Sequence, residues 1–182
     1  MVTIADHYKK LRAPYRRSSK STEVILSAKN LTKLILTSDD VILRHKKKIL
    51  SEVLWFLSEA DGKYSTRFRS VEVVRLATED PTSKVRIQHE HVYPRALVSA
   101  QILDNVEFYR NNPEKLDLLL EETVGCIVTE TEHNSLLAGL GWVRYANVPV
   151  YDMSESVPQL LTIEQRPNQA LGHGDGSLPL LA

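Results

Sequence analysis

Two short segments place histidines and carboxylates where strand-like runs end, and they constrain the fold more than any other feature of this chain. Residues 88–94 read Gln-His-Glu-His-Val-Tyr-Pro and follow the strand-like run 85–87. Residues 129–134 read Thr-Glu-Thr-Glu-His-Asn and connect the apolar run 126–128 to a helix-like segment. Strand, strand and helix in this order, with histidine and carboxylate at the junctions, predict a scaffold that can hold one divalent cation.

Composition narrows the class of protein. The chain has 182 residues, which suits one domain or a compact domain with an added helical part. Its 23 basic and 23 acidic residues give a net charge of zero, which argues against a basic coat protein but leaves room for local basic patches. Cys126 is the only cysteine, which excludes an internal disulfide and a multi-cysteine zinc site. Its apolar neighbours predict a buried, unreactive thiol.

The hydropathy pattern predicts a cytoplasmic protein with no membrane partner. No N-terminal apolar run precedes a cleavage site. No apolar run approaches the roughly 20 residues that a membrane-spanning helix needs.

The first eighty residues are expected to form a helical N-terminal region. From about residue 22 to 36 apolar residues recur at helical spacing, and Ser38 or Asp39 can cap a second helix that Gly62 ends. The apolar stripe of this second helix consists of Ile42, Ile49, Val53 and Phe56, widened by Leu43, Leu50, Leu54 and Leu57. A stripe this wide must pack against another element, so we expect two packed helices that support the site.

The segment that follows these helices mixes cations with aromatics. Residues 63–70 alternate like a strand or an extended loop and contain no acid. Arg67 and Arg69 in this segment are therefore candidate contacts to a phosphate backbone. Residues 71–77 are apolar, and their pattern leaves helix and strand open. Residues 78–83 indicate a turn-rich connector.

Further elements are predicted between and after the two histidine segments. Residues 96–103 indicate a short helix, and Asn112 followed by Pro113 begins another. Residues 148–150 predict an edge strand. Residues 165–182 contain three glycines and two prolines with little periodicity, and they predict disorder.

The second histidine segment carries a helix-start signal. Thr129 and Glu132 have the spacing of a capping box, in which each side chain bonds the backbone of the other residue. This pattern places His133 in the first turn of a helix, close to the end of the preceding strand.

The side chains in the two segments suit phosphodiester hydrolysis. That reaction needs a base to deprotonate water, a cation to stabilise the developing charge, and groups that hold the phosphate. Histidine suits the first task because its ordinary pKa, about 6.5, lies near working pH. Mg²⁺ needs only one or two protein ligands, and mixed nitrogen and oxygen ligation also suits Mn²⁺, Ni²⁺ or Zn²⁺.

Strand geometry sets a condition on this chemistry. Side chains alternate along a strand, so Glu90 and His91 cannot reach the same ion unless the strand ends or bends there. Pro94 is consistent with such a bend. With a bend, Glu90 can bind the ion, His91 can act on water, and His133 can supply a second ligand. The competing interpretation is that these histidines are ordinary structural residues of the sheet.

The two segments resemble the HNH (ββα-metal) endonuclease family. In that family the first strand ends in an acid or histidine, the general-base histidine, a hydrophobic pair and proline, as residues 90–94 do here. A helix after the second strand then brings a metal-binding histidine or asparagine, as residues 127–136 do. The resemblance spans roughly residues 84–145.

The resemblance implies a role for each of four residues. His91 would be the general base, Glu90 and His133 would be metal ligands, and His89 would be a further ligand or a phosphate contact. The asparagine that orients the base in that family is left open among Asn105, Asn111 and Asn112, which lie between the two segments.

Three further residues are candidate nucleic-acid contacts. Arg95 directly follows Pro94 and would lie near the metal as a phosphate clamp. Trp142 and Arg144 combine an aromatic ring with a guanidinium, a pair that can stack on a base and grip phosphate. An alternative is that Arg144 is a structural cation against Trp142.

These patterns together predict an α+β protein in which an N-terminal helical layer joins a compact ββα-metal, HNH-like module. The predicted divisions are a helical region at 1–80, the module at 81–155 and a disordered tail at 156–182. The expected activity is hydrolysis of DNA with one Mg²⁺ or Mn²⁺ ion, with RNA as a further possible substrate. The alternatives are a non-catalytic nucleic-acid-binding or regulatory protein on the same fold, and a helical interaction protein. A homodimer is left open, because one metal site cuts one strand.

Overall fold

A mixed five-stranded sheet with helices packed around it makes up the part of the chain that the computed structural model describes, residues 10–80 and 82–166. The strands are β1 (Phe68–Ser70), β2 (Ile87–His91), β3 (Gly125–Thr129), β4 (Val150–Asp152) and β5 (Gln159–Leu161). The helices are α1 (Ser19–Thr37), α2 (Leu43–Ser58), α3 (Val71–Glu79), α4 (Arg95–Asp104), α5 (Val106–Asn111), α6 (Pro113–Glu121) and α7 (Glu130–Ser135), followed by a short 3-10 helix (Gly141–Tyr145). The expected α+β class is confirmed.

The strand order is β2-β3-β1-β4-β5. β1 runs parallel to β3, and the other neighbouring pairs are antiparallel. β2 lies at one edge of the sheet, and its register continues through His91, which pairs with Gly125. The strand predicted at the edge is β4, but it pairs with β1 on one side and β5 on the other. That prediction is wrong because β5 was not anticipated.

The two N-terminal helices pack against each other as expected. Leu50, Val53 and Leu54 are the buried residues of the α2 stripe. Ile42 and Phe56, which were predicted to share that stripe, are 60% and 52% exposed. The helix starts at Leu43, so Ile42 is its N-cap residue and lies outside the helical stripe.

Residues 71–77, which the pattern left open, are helical. The hydroxyl of Ser70 accepts a hydrogen bond from the backbone N–H of Val73, and Glu72 adds an acid in the first turn. Both features favour a helix start, because they satisfy free N–H groups and complement the helix dipole.

One hydrophobic core joins the N-terminal helices to the sheet. Leu36, Leu50 and Leu54 belong to the same buried cluster as Phe68 of β1 and Trp142. β1 itself lies in the middle of the sheet, between β3 and β4. The predicted division at residue 80 therefore passes through a continuous sheet and is not a structural boundary.

The segment assigned to the tail begins with folded structure. β5 pairs with β4, and Leu161 is only 7% exposed. The guanidinium of Arg166 donates to the carbonyl oxygens of Tyr145 and Val148 at 3.0 and 3.1 Å. Residues 156–166 are thus part of the fold, and residues 167–182 lie outside the described residues.

Three helices separate β2 from β3 in the chain, yet these two strands pair side by side and α7 packs against both.

Within the described ranges no helix is both long enough and apolar enough to pass through a lipid bilayer.

Candidate functional site

Glu90 lies at the centre of a small polar cluster formed with His133 and Arg144, called the Glu90 cluster below. Oε2 of Glu90 is 2.9 Å from Nδ1 of His133, and Oε1 accepts a hydrogen bond of 3.0 Å from Nη2 of Arg144. The Glu90 and Arg144 side chains are 16% and 17% exposed, and that of His133 is 34% exposed. The cluster is therefore partly desolvated, and the His133 ring keeps about a third of its surface exposed.

The capping box predicted from the sequence positions His133. Thr129 Oγ1 accepts from the backbone N–H of Glu132, and the Glu132 carboxylate accepts from the backbone N–H of Thr129 at 2.9 Å. Glu132 Oε2 also accepts a hydrogen bond of 2.6 Å from the hydroxyl of Ser70, which ties α7 to the end of β1. These bonds fix the first turn of α7 and hold His133 over Glu90.

His89 and His91 project from the opposite face of β2. Their ring centroids are 5.2 Å apart, and the ring of Trp55 lies 6.1 Å from that of His91. Nδ1 of His89 donates to the carbonyl oxygen of Lys63 at 2.9 Å. Regular alternation therefore persists through residue 91, and the expected bend that would aim Glu90 and His91 at one ion is absent.

His91 lies in hydrogen-bond contact with α2. Its Nε2 is 2.9 Å from Oγ of Ser58, and the Ser58 hydroxyl also donates to the carbonyl oxygen of Trp55. These contacts hold the His91 ring against the end of α2.

Burial also changes the basicity of both imidazoles. It lowers the pKa of His91 to about 3, with smaller contributions from His89 and Arg95. Burial likewise lowers the pKa of His89. Both rings are therefore predominantly neutral at pH 7, and His91 is a weaker base than an exposed histidine.

A cleft of about 610 Å³ opens on the side of β2 that carries these two histidines. It is bounded by Trp55 and Glu59 near the end of α2, by residues 83–88 and by Arg95. The Arg95 guanidinium carbon lies 4.5 Å from the centre of the Trp55 ring, and Nη1 donates to the carbonyl oxygen of Ser51. Arg95, predicted to lie near the metal with Glu90, instead faces this cleft.

Three other predicted contact residues have structural partners. Trp142 is 1% exposed and packs in the core, so it cannot stack on a base. Arg69 is also 1% exposed and donates to the carbonyl oxygens of residues 10, 11 and 13, so it is not available to a phosphate. The Arg67 guanidinium binds both carboxylate oxygens of Asp152, although its side chain stays 46% exposed. The predictions for Trp142 and Arg69 are wrong because these side chains belong to the interior.

Sequence reasoning missed Trp55, Lys84 and Arg86 as cleft residues. Trp55 was assigned no role on α2, and no local pattern in the sequence marks it as a cleft residue. Lys84 and Arg86 flank the run before β2, and their alternation with Val85 could have marked them as solvent-facing cations. The ion pair between Arg144 and Glu90 joins residues 54 positions apart, which no local pattern encodes.

The donor atoms of the Glu90 cluster fit a divalent cation with two protein ligands. Nδ1 of His133 is buried and makes no hydrogen bond within the described structure, because its approach to Glu90 Oε2 is not aligned for one. Adjacent ligands of an octahedral ion, each about 2.1 Å from it, lie about 3 Å apart. Among residues 10–80 and 82–166 no group of three or more His, Cys, Asp or Glu side chains can hold one ion, so water and substrate oxygens would complete the shell.

Comparison of this chain with protein-family models, curated proteins and solved structures finds no match.

Proposed function

We propose that this protein is a metal-dependent endonuclease that hydrolyses DNA phosphodiester bonds at the Glu90 cluster. The observation that carries the proposal is the 2.9 Å separation between Oε2 of Glu90 and an otherwise unbonded Nδ1 of His133. Glu90 lies on β2 and His133 on α7, which directly follows β3, and this order of strand, strand and helix supports an HNH-like ββα-metal module.

Each residue of the cluster has a distinct task. Glu90 and His133 hold the ion, which when bound lowers the pKa of its water and stabilises negative charge on the phosphate. Arg144 donates a hydrogen bond to Oε1 of Glu90, and its remaining N–H groups can bind a phosphate oxygen. His91 lies on the other face of β2, in contact with Ser58 and Trp55, so it does not face the ion held by Glu90 and His133.

The experiment is nicking of supercoiled plasmid DNA in Mg²⁺ or Mn²⁺, with EDTA as the metal-free control. Glu90→Gln and His133→Ala should each reduce the rate roughly 100-fold or more, because each removes one of the two protein ligands. Glu52→Gln and His45→Ala change the same residue types at exposed positions of α2 and should cleave like the wild type. Cleavage by Glu90→Gln at the wild-type rate would contradict the proposal.

A binding measurement separates metal loss from misfolding. The wild type should bind Mn²⁺ in an electron paramagnetic resonance titration, and Glu90→Gln should weaken this binding at least about tenfold. Equal Mn²⁺ affinity in the two proteins would show that Glu90 is not a ligand.

One observation favours a second candidate, a non-catalytic nucleic-acid-binding protein on the same fold. Arg144 already neutralises Glu90, and within the described residues no third metal-binding side chain joins the cluster. This candidate predicts salt-dependent DNA binding with no metal-dependent product. The plasmid assay distinguishes the two, since only the endonuclease releases nicked DNA in Mg²⁺.

A further inference from the structure

The floor of the cleft beside β2 is a row of three rings. Trp55, His91 and His89 follow one another edge to face, with centroid separations of 6.1 and 5.2 Å. Trp55 is 36% exposed, and the planar guanidinium of Arg95 covers one side of it. His89 is buried at the end of this row, with a side chain only 1% exposed, so the surface that can stack with another planar group is that of Trp55.

The walls of the same cleft carry an excess of positive charge. Lys63, Lys84, Arg86 and Arg95 line it against two acids, Glu59 and Glu130, although the whole chain has no net charge. Of these cations only Arg86 makes an ion pair within the described structure, at 3.7 Å from Glu130. Lys63 and Lys84 have no carboxylate within ion-pair distance among the described residues. The Arg95 guanidinium stacks on Trp55 and donates from Nη1 to Ser51, and its other N–H groups can meet an anion.

We propose that this cleft binds an unpaired stretch of nucleic acid, with a base against the Trp55 row and its phosphates along Lys84 and Arg86. Aromatic platforms flanked by cations bind single strands because every base has a stacking face and every linkage a charge. A duplex hides its base faces within the stack, so only an unpaired segment can use this floor. A volume of about 610 Å³ accommodates one or two nucleotides.

The proposal deepens the proposed function and rests on it for the link to cleavage. Glu130 lines the cleft and His133 belongs to the Glu90 cluster, and both are in α7. Three residues of helix rise span about 4.5 Å, so the two sites are about one helical turn apart along α7. The two sites lie on opposite faces of β2, which is the edge strand, so a strand held in the cleft would reach Glu90 by passing around that edge.

Binding is tested without metal, by fluorescence anisotropy of a labelled oligothymidylate on the full-length protein in EDTA. The wild type should bind the single strand at least tenfold more tightly than a duplex of equal length. The double variant Lys84→Glu/Arg86→Glu should lose at least tenfold in affinity. The slope of its log affinity against log salt concentration should become shallower by one to two units, since each phosphate that is no longer neutralised accounts for about 0.7. Lys47→Glu/Lys48→Glu makes the same charge change on exposed α2 positions that do not line the cleft, and it should bind within about twofold of the wild type.

Trp55 provides a second measurement that does not depend on charge. Because Trp142 is buried, an oligonucleotide in the cleft should quench only the Trp55 share of the intrinsic fluorescence. Trp55→Leu should abolish the quenching and weaken single-strand binding about tenfold, the ordinary loss for one stacked base.

Two outcomes would overturn the inference: equal affinity for single strand and duplex, or equal affinity of the Lys84→Glu/Arg86→Glu variant and its matched control. Glu90→Gln separates this inference from the proposed function. It should bind the oligonucleotide like the wild type while cleavage is lost. If Glu90→Gln still cleaves, the proposed endonuclease site is wrong. The binding data would still test whether the cleft binds single-stranded nucleic acid.

Discussion

The side chains of Glu90 and His91, neighbours in the sequence, lie on opposite faces of β2. Glu90 meets His133 and Arg144 on one face, and His91 meets Ser58 and the Trp55 ring on the other. One strand thus contributes to two sites with different chemistry. Substitutions at Glu90 and His91 should therefore have separable effects, the first on metal and cleavage and the second on stability and the cleft.

Stability should depend on pH through His91. The folded protein keeps this imidazole neutral down to its pKa of about 3, whereas an unfolded histidine is protonated below about 6.5. The unfolded state therefore binds more protons between these values, and the contribution of His91 is lost as pH falls from 6.5 toward 3. From pH 7 to pH 5 this loss amounts to at most about 2 kcal/mol. Urea unfolding at both pH values measures it.

The variant His91→Gln isolates this effect. It should lose less stability than the wild type between pH 7 and pH 5, whereas His45→Gln, on the exposed surface of α2, should follow the wild-type pH dependence. Parallel curves for His91→Gln and the wild type would show that His91 is not the group responsible.

Gly125→Ala should destabilise the protein by packing alone. A Cβ at this position would lie 2.2 Å from Nε2 of His89, far inside van der Waals contact. The ring is buried and cannot move freely, so we expect a cost of about 1–3 kcal/mol in the free energy of unfolding. In a His89→Ala background the same change should cost much less, since the clashing ring is gone. Equal costs in both backgrounds would contradict this account.

Thr129→Ala should weaken both the fold and the proposed metal site. Loss of an N-cap side chain costs about 1 kcal/mol, and here it also releases the first turn of α7 that holds His133. We expect a lower urea midpoint together with weaker Mn²⁺ binding. Thr131→Ala, exposed in the same helix, is the control and should leave both measurements unchanged. Unchanged Mn²⁺ affinity in Thr129→Ala would show that the cap does not position His133.

Arg144→Met should have opposite effects on metal binding and on cleavage. The guanidinium beside Glu90 repels a cation, so its removal should strengthen Mn²⁺ binding. It also removes the donor available to a phosphate, and cleavage should fall roughly 10- to 100-fold. Titration with Mn²⁺ and plasmid nicking on one preparation measure both quantities. A variant that loses metal affinity would indicate that Arg144 organises Glu90 instead.

Arg69→Met should release the N-terminal segment. Arg69 is the shared donor for the carbonyl oxygens of residues 10, 11 and 13, and its burial lowers its pKa to about 10, still protonated at pH 7. Because this change leaves buried carbonyl groups without a donor, it should lower the free energy of unfolding by about 3 kcal/mol. Trypsin should then cut after Arg12 faster than in the wild type, and mass spectrometry of the products measures the rate of this cleavage. Arg75→Met, whose side chain is 48% exposed, should leave the cleavage rate as it is.

Local signals predicted a large part of the fold and half of the site. The capping box at Thr129 and the proline that begins α6 are signals carried by residues close together in the sequence. Both helices, α7 and α6, form where these signals predict them. The position of His133 directly after β3 follows from the same cap, whereas its approach to Glu90 also requires the pairing of β3 with β2.

The remainder depends on contacts between distant parts of the chain. Burial of Trp142 and Arg69 follows from the sheet and the N-terminal segment closing over them, which no short pattern reveals. β5 is three residues long, and its pairing with β4 stabilises it more than its own composition does. The regular course of β2 past Glu90 likewise reflects its pairing with β3, and the proline at 94 bends the chain only afterwards.

The position of β3 has a consequence for how the polypeptide is made. Both β1 and β2 pair with β3, and the remaining pairs need β4, so among the described strands no pair can form before residue 125 has been synthesised. A ribosome therefore delivers two strands and the first six helices before any sheet can assemble. A nascent chain stalled before Gly125 would display unpaired strand edges, and such products should depend on chaperones to stay in solution.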